Sequence, residues 1–271
     1  MELNAERTLE PYASPSLFVL DRLMPASTQP PPRIALWSGP RNISTAMMRS
    51  WGSRRDTVIV DEPLYAHYLA TTGREHPGRE EIIAHHDPDL QSVVNRITGP
   101  IPNGASIYYQ KHMAHHLLAE MEWNWVLDLR NAFLIREPRE MLTSLVEVLP
   151  DPTLSDTGLP QQWALFQRLQ SERGVTPPVI VARDVLQAPR DVLSALCDAL
   201  DVPFRESMLS WEPGPREADG IWAKHWYDSV YDSTGFQPYE PKDTPVPDRL
   251  HDLHEDCQPL YDKLYARRLR P

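Results

Sequence analysis

A run of apolar residues, 34–37, leads into a short Gly/Pro loop and then into a helical pattern that Ser44 and Thr45 open. The loop carries the cationic side chain of Arg41 and the amide of Asn42. Because a helix N-terminus offers free N–H groups and positive dipole charge, this segment predicts an anion site. The alternative interpretation is an ordinary βα turn in which Ser44 caps the helix.

A second strand-to-helix segment spans residues 133–145. Arg136 ends an apolar run, Pro138 stands where a helix begins, and Ser144 follows about two turns into that helix. A guanidinium and a hydroxyl so placed can bind a second phosphate. Taken alone, the segment also fits a plain helix start with solvated charges.

Two further strand ends carry groups suited to proton transfer. Glu62 follows the apolar residues 58–60, and Lys111, His112 and His115 follow another apolar run. Ligands bind at the carboxyl ends of parallel strands, so these side chains are candidates for a reaction site. The alternatives are a carboxylate that caps the next helix and histidines that are simply packed or solvated.

Two other enzyme classes share parts of this pattern. Residues 58–62 are also similar to a strand that ends in a Mg²⁺-binding carboxylate, which would suit a P-loop kinase or NTPase using ATP and Mg²⁺. The Gly-Lys-Ser/Thr ending of a nucleotide loop is missing from the segment around Arg41. His112, His116 and Glu120 stand at four-residue steps, a spacing that a metal-dependent hydrolase uses when the segment is helical. A nucleotide-binding module without activity is a further alternative.

The segments around Arg41 and Arg136 together resemble the sulfotransferases that use 3′-phosphoadenosine-5′-phosphosulfate (PAPS). The first motif, Gly-Pro-Arg-Asn-Ile-Ser-Thr, is similar to a bacterial branch of that family. Residues 220–224, Gly-Ile-Trp-Ala-Lys, resemble its C-terminal loop over the cofactor. The resemblance implies a donor-binding set made of Arg41, Asn42, Ser44, Thr45, Arg136, Ser144, Trp222 and Lys224.

The same resemblance implies the chemistry. Glu62 takes the role of the base that removes the acceptor's proton, with His112 or His115 as rivals, and Lys111 stabilises the sulfuryl or bridging oxygens. The expected reaction is direct in-line transfer of a sulfuryl group to a hydroxyl or amine of a small or medium organic acceptor. No metal is required, because Arg and Lys supply the charge.

From Arg33 onward, short apolar runs alternate with helix-length amphipathic segments, a pattern typical of a parallel sheet covered by helices. The predicted strands are residues 34–37, 57–60, 106–110, 132–135 and 178–181. The predicted helices are residues 44–51, 63–70, 113–120, 138–148 and 189–200, with a last helix at 250–264 that Pro259 kinks or splits. The fold class is therefore α/β, a P-loop NTPase-like central parallel sheet with helices on both faces.

Domain boundaries follow from the proline pattern. Residues 1–32 are predicted to form an N-terminal arm that ends in a Pro-rich spacer, with residues 17–20 able to dock on the core. Residues 33–271 form the sulfotransferase-like α/β domain. The segments 71–103 and 211–247 are expected to shape the acceptor pocket.

Composition excludes several classes. The net charge of −11 argues against a nucleic-acid binder, whose affinity depends on clustered Lys and Arg. No apolar run approaches the ~18 residues that a membrane span needs, and the N-terminus lacks the pattern of a secretory signal. Two cysteines without metal-type spacing suit a reducing, cytoplasmic setting. The oligomeric state cannot be read from the sequence.

Overall fold

The computed structural model describes residues 30–270, and a single parallel sheet organises them. Its strands are β1 (Arg33–Ser38), β2 (Thr57–Asp61), β3 (Ile107–Met113), β4 (Arg130–Ile135) and β5 (Val179–Val181). They lie in the order β2-β3-β1-β4-β5, and every pairing is parallel. The carboxyl ends of all strands therefore meet at one edge of the sheet, where the loops after them form a common surface.

Helices cover both faces of this sheet, as predicted. They are α1 (Ser44–Gly52), α2 (Tyr65–Thr72), α3 (Arg79–His85), α4 (Leu90–Thr98), α5 (Pro138–Leu145), α6 (Leu159–Arg173), α7 (Ala182–Gln187), α8 (Pro189–Ala199), α9 (Ala223–Trp226), α10 (Asp228–Tyr231) and α11 (His251–Tyr265). Because side chains alternate along a strand, Leu36 of β1 packs with α1, α2 and α8, whereas Trp37 packs with α5, α6 and α11. Two apolar cores thus fix the sheet from both sides.

One predicted helix is wrong. Residues 113–120 do not form a helix, because β3 continues to Met113 and only one turn of 3₁₀ helix follows, at Ala114–His116. His112 and Met113 pair with Trp37 and Ser38 of β1, and all seven residues of β3 are buried. Lys111 is paired on both sides, and pairing with β1 alone extends the strand through Met113, beyond its apolar run.

Other boundaries also differ from the sequence prediction. Segment 71–103 contains α3 and α4, and α6 was not predicted. The helix that starts at Pro138 ends at Leu145 instead of residue 148. α11 runs unsplit through Pro259, since Cys257, Tyr261 and Leu264 are buried and their packing offsets the lost hydrogen bond.

The predicted docking of residues 17–20 lies outside the described residues. Residues 30–32 have no regular secondary structure, and the carbonyl of Pro32 accepts from the N–H of Tyr108 over 3.0 Å. Within residues 30–270, no helix combines the length and apolar character needed to cross a bilayer.

Candidate active site

The loop between β1 and α1 is held in one conformation by close backbone packing. A Cβ at Gly39 would lie 2.4 Å from the carbonyl oxygen of Thr157, so glycine is required for this approach. The side chain of Asn42 links the loop to β4. Its Oδ1 accepts from the N–H of Ile43 over 2.9 Å, and its Nδ2 donates to the carbonyl of Leu134 over 3.2 Å. The loop is therefore rigid before any ligand binds.

α1 begins at Ser44, which is its first helical residue and not its cap. The capping position is Ile43, and within the described part of the chain no side chain caps this end of the helix. The first N–H groups of α1 thus keep their capacity for an anion, and Ser44 and Thr45 add hydroxyls beside them. An anionic phosphosulfate fits this donor set.

Arg41 and Arg136 connect the two predicted phosphate segments. The Nε of Arg41 donates to the Oγ of Ser144 on α5 over 2.9 Å. Arg136 donates to the carbonyl of Arg41 over 2.6 Å, and its Nε lies 3.2 Å from a carboxylate oxygen of Glu140. Tyr239 donates to the other oxygen of Glu140 over 2.5 Å. The loop after β1 and the helix after β4 therefore form one basic surface.

A buried charge network stands at the ends of β2 and β3. The ammonium of Lys111, 1% exposed, donates to Oδ1 of Asp61 over 2.8 Å, to Oε1 of Glu62 over 2.5 Å and to the hydroxyl of Tyr227 over 2.8 Å. Tyr227 donates to Oδ2 of Asp61 over 2.6 Å, and the N–H of Gly220 donates to the same oxygen over 3.3 Å. Burial raises the pKa of Glu62, the positive charge of Lys111 lowers it, and the negative charge of Asp61 raises it.

Arg41 of the donor loop and Glu62 of the charge network both have strained backbone conformations. Arg41 has a φ of 52° and Glu62 a φ of 40°, in the left-handed region that favours glycine. Such strain costs about 1–3 kcal/mol per residue and is tolerated where the surroundings fix it. At Glu62 the N–H donates to the carbonyl of Lys111 over 2.9 Å, which holds the turn.

The histidines divide into two environments. His112 is 1% exposed, stacks on Trp37 with centroids 4.2 Å apart, and has its Nε2 3.1 Å from Oε1 of Gln110. His115 and His116 instead line the cavity described below. Burial lowers the pKa of His112 and of His115 to about 3, and that of His116 well below its usual value. All three are therefore neutral near pH 7.

A cavity of about 210 Å³ opens at this edge of the sheet. The predicted site residues that line it are Arg41, Asn42, Ser44, Thr45, Glu62, Lys111 and His115. The predicted donor loop and the predicted base thus meet in one space. His112 does not line this cavity; it lies in the core against Trp37.

The sulfotransferase domain model matches residues 32–268 of the chain. The chain belongs to the sulfotransferase family. It is also 36% identical to each of two Arabidopsis thaliana proteins, branched-chain-amino-acid aminotransferase-like proteins 1 and 2, over 86% and 85% of its length. These matches cover 42% and 41% of the two plant proteins, so the chain spans less than half the length of the curated relatives it matches.

Solved structures of sulfotransferases share the fold. The sulfotransferase domain of the Synechococcus PCC 7002 olefin synthase gives a TM-score of 0.52 at 15% identity, over 91% of this chain and 98% of that one. A sulfotransferase from Alicyclobacillus acidocaldarius gives 0.50 at 13% identity, over 87% of this chain and 94% of that one. At such identities the likeness establishes the architecture, which confirms the P-loop-like α/β prediction.

In this sulfotransferase, four predicted cofactor residues do not line the cavity. Arg136 lines a separate cavity beside α5, and Ser144 meets the donor loop through its hydrogen bond with Arg41. Trp222 and Lys224 line neither cavity. Trp222 is 1% exposed and packs in the core, its ring 5.0 Å from Tyr65 and 4.9 Å from His86. Lys224 is exposed and pairs with Glu81 of α3 over 2.5 Å. The short helix α9 that carries Lys224 turns this side chain toward α3, and it brings Trp226 to the cavity instead.

The candidate site contains groups that the sequence motifs did not single out. Asp61 is the last residue of β2, directly before Glu62. Tyr65 and His76 line the cavity, with the Tyr65 hydroxyl 2.6 Å from Nδ1 of His76. Asp61 was visible as the neighbour of Glu62. The contact of Tyr227 with Asp61 joins positions 166 residues apart, and no local pattern predicts it.

The geometry also bears on the alternative enzyme classes. Residues 58–62, on which the kinase or NTPase interpretation rests, end in Asp61 and Glu62. Both oxygens of Asp61 accept from Lys111, Tyr227 and Gly220, and Glu62 accepts from Lys111. His112 and His116 do not share a helix face, since β3 runs through His112. Across residues 30–270, no three His, Cys, Asp or Glu side chains gather closely enough to hold a metal ion.

Proposed function

We propose that this sulfotransferase uses PAPS as donor and transfers its sulfuryl group to a hydroxyl or amine of a small or medium organic acceptor. The observation that carries this proposal is the cavity in which Arg41, Ser44 and Thr45 face the carboxylate of Glu62. A site for an anion and a base for an acceptor are thereby combined in one space.

The donor would be held along the carboxyl edge of the sheet. The N-terminus of α1, with Ser44, Thr45 and Arg41, suits the 5′-phosphosulfate, because free N–H groups and a guanidinium stabilise negative charge. Asn42 keeps this loop in place. When bound, PAPS supplies the sulfuryl group and a stable nucleotide leaving group.

The 3′-phosphate end is assigned to Arg136 and Ser144. A separate cavity of about 100 Å³ is lined by Arg136, Arg139 and Arg183 together with Glu137 and Glu140, so the arginines outnumber the carboxylates there. Glu140 engages Arg136 in the structure and is the group that a phosphate would have to displace. Trp222 and Lys224 are assigned only a structural role in their own segment, because Trp222 packs against Tyr65 and Lys224 pairs with Glu81.

Glu62 is the proposed base. It lines the cavity, and burial raises the pKa of its carboxyl, which strengthens it as a proton acceptor near neutral pH. Glu62 accepts the proton of the acceptor's hydroxyl or amine, and Arg41 balances the negative charge that develops toward the donor loop. His115 lines the same cavity, but its pKa of about 3 makes it a weak base and favours a role as a neutral hydrogen-bond partner of the acceptor.

Two free, buried thiols support a reducing, cytoplasmic setting for this reaction. Cys197 and Cys257 are both unpaired, and burial raises the pKa of each thiol to about 11. Such thiols stay protonated and unreactive.

Transfer itself is tested by incubating the protein with sulfur-labelled PAPS and a metabolite extract. A mass-spectral search for molecules that gain a sulfuryl group then identifies the acceptor. We expect labelled product with the wild-type protein, and its formation should be slower by about 10²-fold or more with Glu62→Gln. A parallel incubation supplies ATP in place of PAPS. Consumption of ATP by the wild-type protein, with no labelled product from PAPS in any extract, would contradict the proposal.

A further inference from the structure

The ammonium of Lys111 has no donor left for a substrate. It carries three N–H groups, and Asp61, Glu62 and Tyr227 accept one each, at 2.8, 2.5 and 2.8 Å. A sulfuryl oxygen would have to replace one of these acceptors, two of which carry a full negative charge. Such an exchange is unfavourable in a buried site, where each charge depends on its partner.

We propose that Lys111 is a positioning residue that holds Glu62 toward the cavity, and that Asp61 and Tyr227 are positioning residues that hold Lys111. This rests on the proposed function, in which Glu62 is the base. The assignment replaces the expected contact of Lys111 with the sulfuryl group, and it adds Asp61 and Tyr227 to the residues on which the reaction depends.

The hydrogen bonds of Asp61 support this division of roles. Oδ1 of Asp61 accepts from Lys111, and Oδ2 accepts from the Tyr227 hydroxyl at 2.6 Å and from the N–H of Gly220 at 3.3 Å. Asp61 is therefore fully engaged and 5% exposed, whereas Glu62 reaches the cavity. One carboxylate anchors the ammonium, and its neighbour in sequence faces the substrate space.

The strained backbone at Glu62 has a purpose in this arrangement. In regular strand geometry, adjacent residues point to opposite faces, so Asp61 and Glu62 could not both reach one ammonium. The φ of 40° at Glu62 breaks that alternation directly after β2. The salt bridges at 2.8 and 2.5 Å then hold both carboxylates on Lys111.

Electrostatics give the proposal a sign. The titratable and charged groups around Glu62 are Asp61 from β2, Lys111 from β3, Tyr65 from α2 and Tyr227 after α9. Those elsewhere in the lining of the cavity are Arg41, Tyr68, Glu75, His76, His115, His116 and Asp156. Removing the Tyr227 hydroxyl leaves Asp61 to draw the ammonium more strongly, so the pKa of Glu62 should rise. Removing the charge of Asp61 takes away a negative charge near Glu62, and Glu62 becomes the only carboxylate paired with Lys111. The pKa of Glu62 should therefore fall.

The test is a carbon-13 titration of the glutamate carboxyls in the protein without donor. The Glu62 signal is assigned by its loss in Glu62→Gln. We expect its titration midpoint to move up by about 0.5 pH unit in Tyr227→Phe and down by about one unit in Asp61→Asn. Tyr231→Phe is the matched control, because the Tyr231 ring lies 6.4 Å from Tyr227 but its hydroxyl is not part of the network.

Opposite shifts in the two variants, with Tyr231→Phe unchanged, support the proposal, since general loosening of the fold would move both midpoints in one direction. Identical midpoints in all proteins, or shifts of the same sign, would overturn it. Should Asp61→Asn fail to fold, Tyr227→Phe against Tyr231→Phe decides alone. Because the titration needs neither donor nor acceptor, failure of this inference is distinct from failure of the proposed function.

Discussion

The Nε of Arg41 donates to the Oγ of Ser144 over 2.9 Å, across 103 residues of sequence. This hydrogen bond joins the loop that follows β1 to the helix that follows β4. Arg136 adds a second link by donating to the carbonyl of Arg41. The two segments that were predicted separately as phosphate sites are thus parts of one continuous surface, as a donor with two separated anionic groups requires.

Replacing Glu62 by Gln should abolish most of the turnover and leave donor binding intact. The amide cannot accept the acceptor's proton, so the transfer rate should fall about 10²-fold or more. Binding of the product 3′-phosphoadenosine-5′-phosphate (PAP), measured by calorimetry, should stay within about twofold. Glu75→Gln, at another carboxylate of the same cavity, is the control and should retain activity. Full turnover in Glu62→Gln would remove this residue from the mechanism.

Replacing Gly39 by Ala should damage the donor loop. The new Cβ would lie 2.4 Å from the carbonyl oxygen of Thr157, so one of the two backbones must shift. We expect a loss of about 1–3 kcal/mol in the free energy of unfolding, measured with urea, together with weaker PAP binding. Gly52→Ala is the matched control, because its Cβ would lie 3.4 Å from the side chain of Ile59. Equal behaviour of the two variants would contradict the close approach described at Gly39.

Replacing Arg136 by Met should reduce the discrimination between PAP and AMP, which lacks the 3′-phosphate. A charge-assisted hydrogen bond is worth about 1.5–3 kcal/mol, so PAP affinity should fall roughly 10- to 100-fold while AMP affinity changes little. Arg190→Met, at an exposed arginine paired with Glu206, serves as control. An equal loss of both nucleotides would indicate that Arg136 acts on the 5′ end or on the fold.

The protein should lose stability steeply in mild acid. His112, His115 and His116 have folded-state pKa values lowered by burial, to about 3 for the first two. The unfolded chain therefore binds protons below about pH 6.5 that the folded chain rejects, and stability falls as the pH drops through this range. Each histidine contributes a slope that grows as the pH falls through about 6.5 and approaches about 1.4 kcal/mol per pH unit below it.

Urea unfolding at pH 7, 6 and 5 measures this slope. His112→Phe keeps a ring against Trp37 but cannot take up a proton, so its loss of stability between pH 7 and 5 should be smaller by about 2 kcal/mol. A wild-type free energy of unfolding that is flat between pH 7 and 5 would show that these histidines titrate normally.

Local patterns in the sequence predict the strands and the strand–loop–helix segments well, because both depend on short-range features. The apolar run at residues 34–37 and the Gly/Pro loop with Arg41 are examples. The extension of β3 through His112 was not predictable, since it depends on pairing with β1, while the pairing with β2 stops at Lys111. A strand in the middle of a sheet overrides the helical spacing of its own residues.

The candidate site was predictable where one segment carries it and hidden where distant segments meet. Glu62 and Lys111 stand at visible strand ends. The anchoring of Lys111 by Tyr227 depends on how residues 211–247 pack, and the sequence offers no periodicity there. The pairing of Lys224 with Glu81 was hidden for the same reason. A Gly/Trp/Lys motif does not reveal which way a four-residue helix turns its side chains.

The central claim is that the donor is PAPS, and a thermal-shift comparison of PAP, AMP and ATP with Mg²⁺ tests it most directly. A ligand that binds the folded state at 100 times its dissociation constant stabilises it by about 2.7 kcal/mol, which is a shift of several degrees in Tm at most protein sizes. We predict a clear rise in Tm with PAP, a smaller one with AMP and none with ATP and Mg²⁺. A rise with ATP and Mg²⁺ and none with PAP would contradict the account.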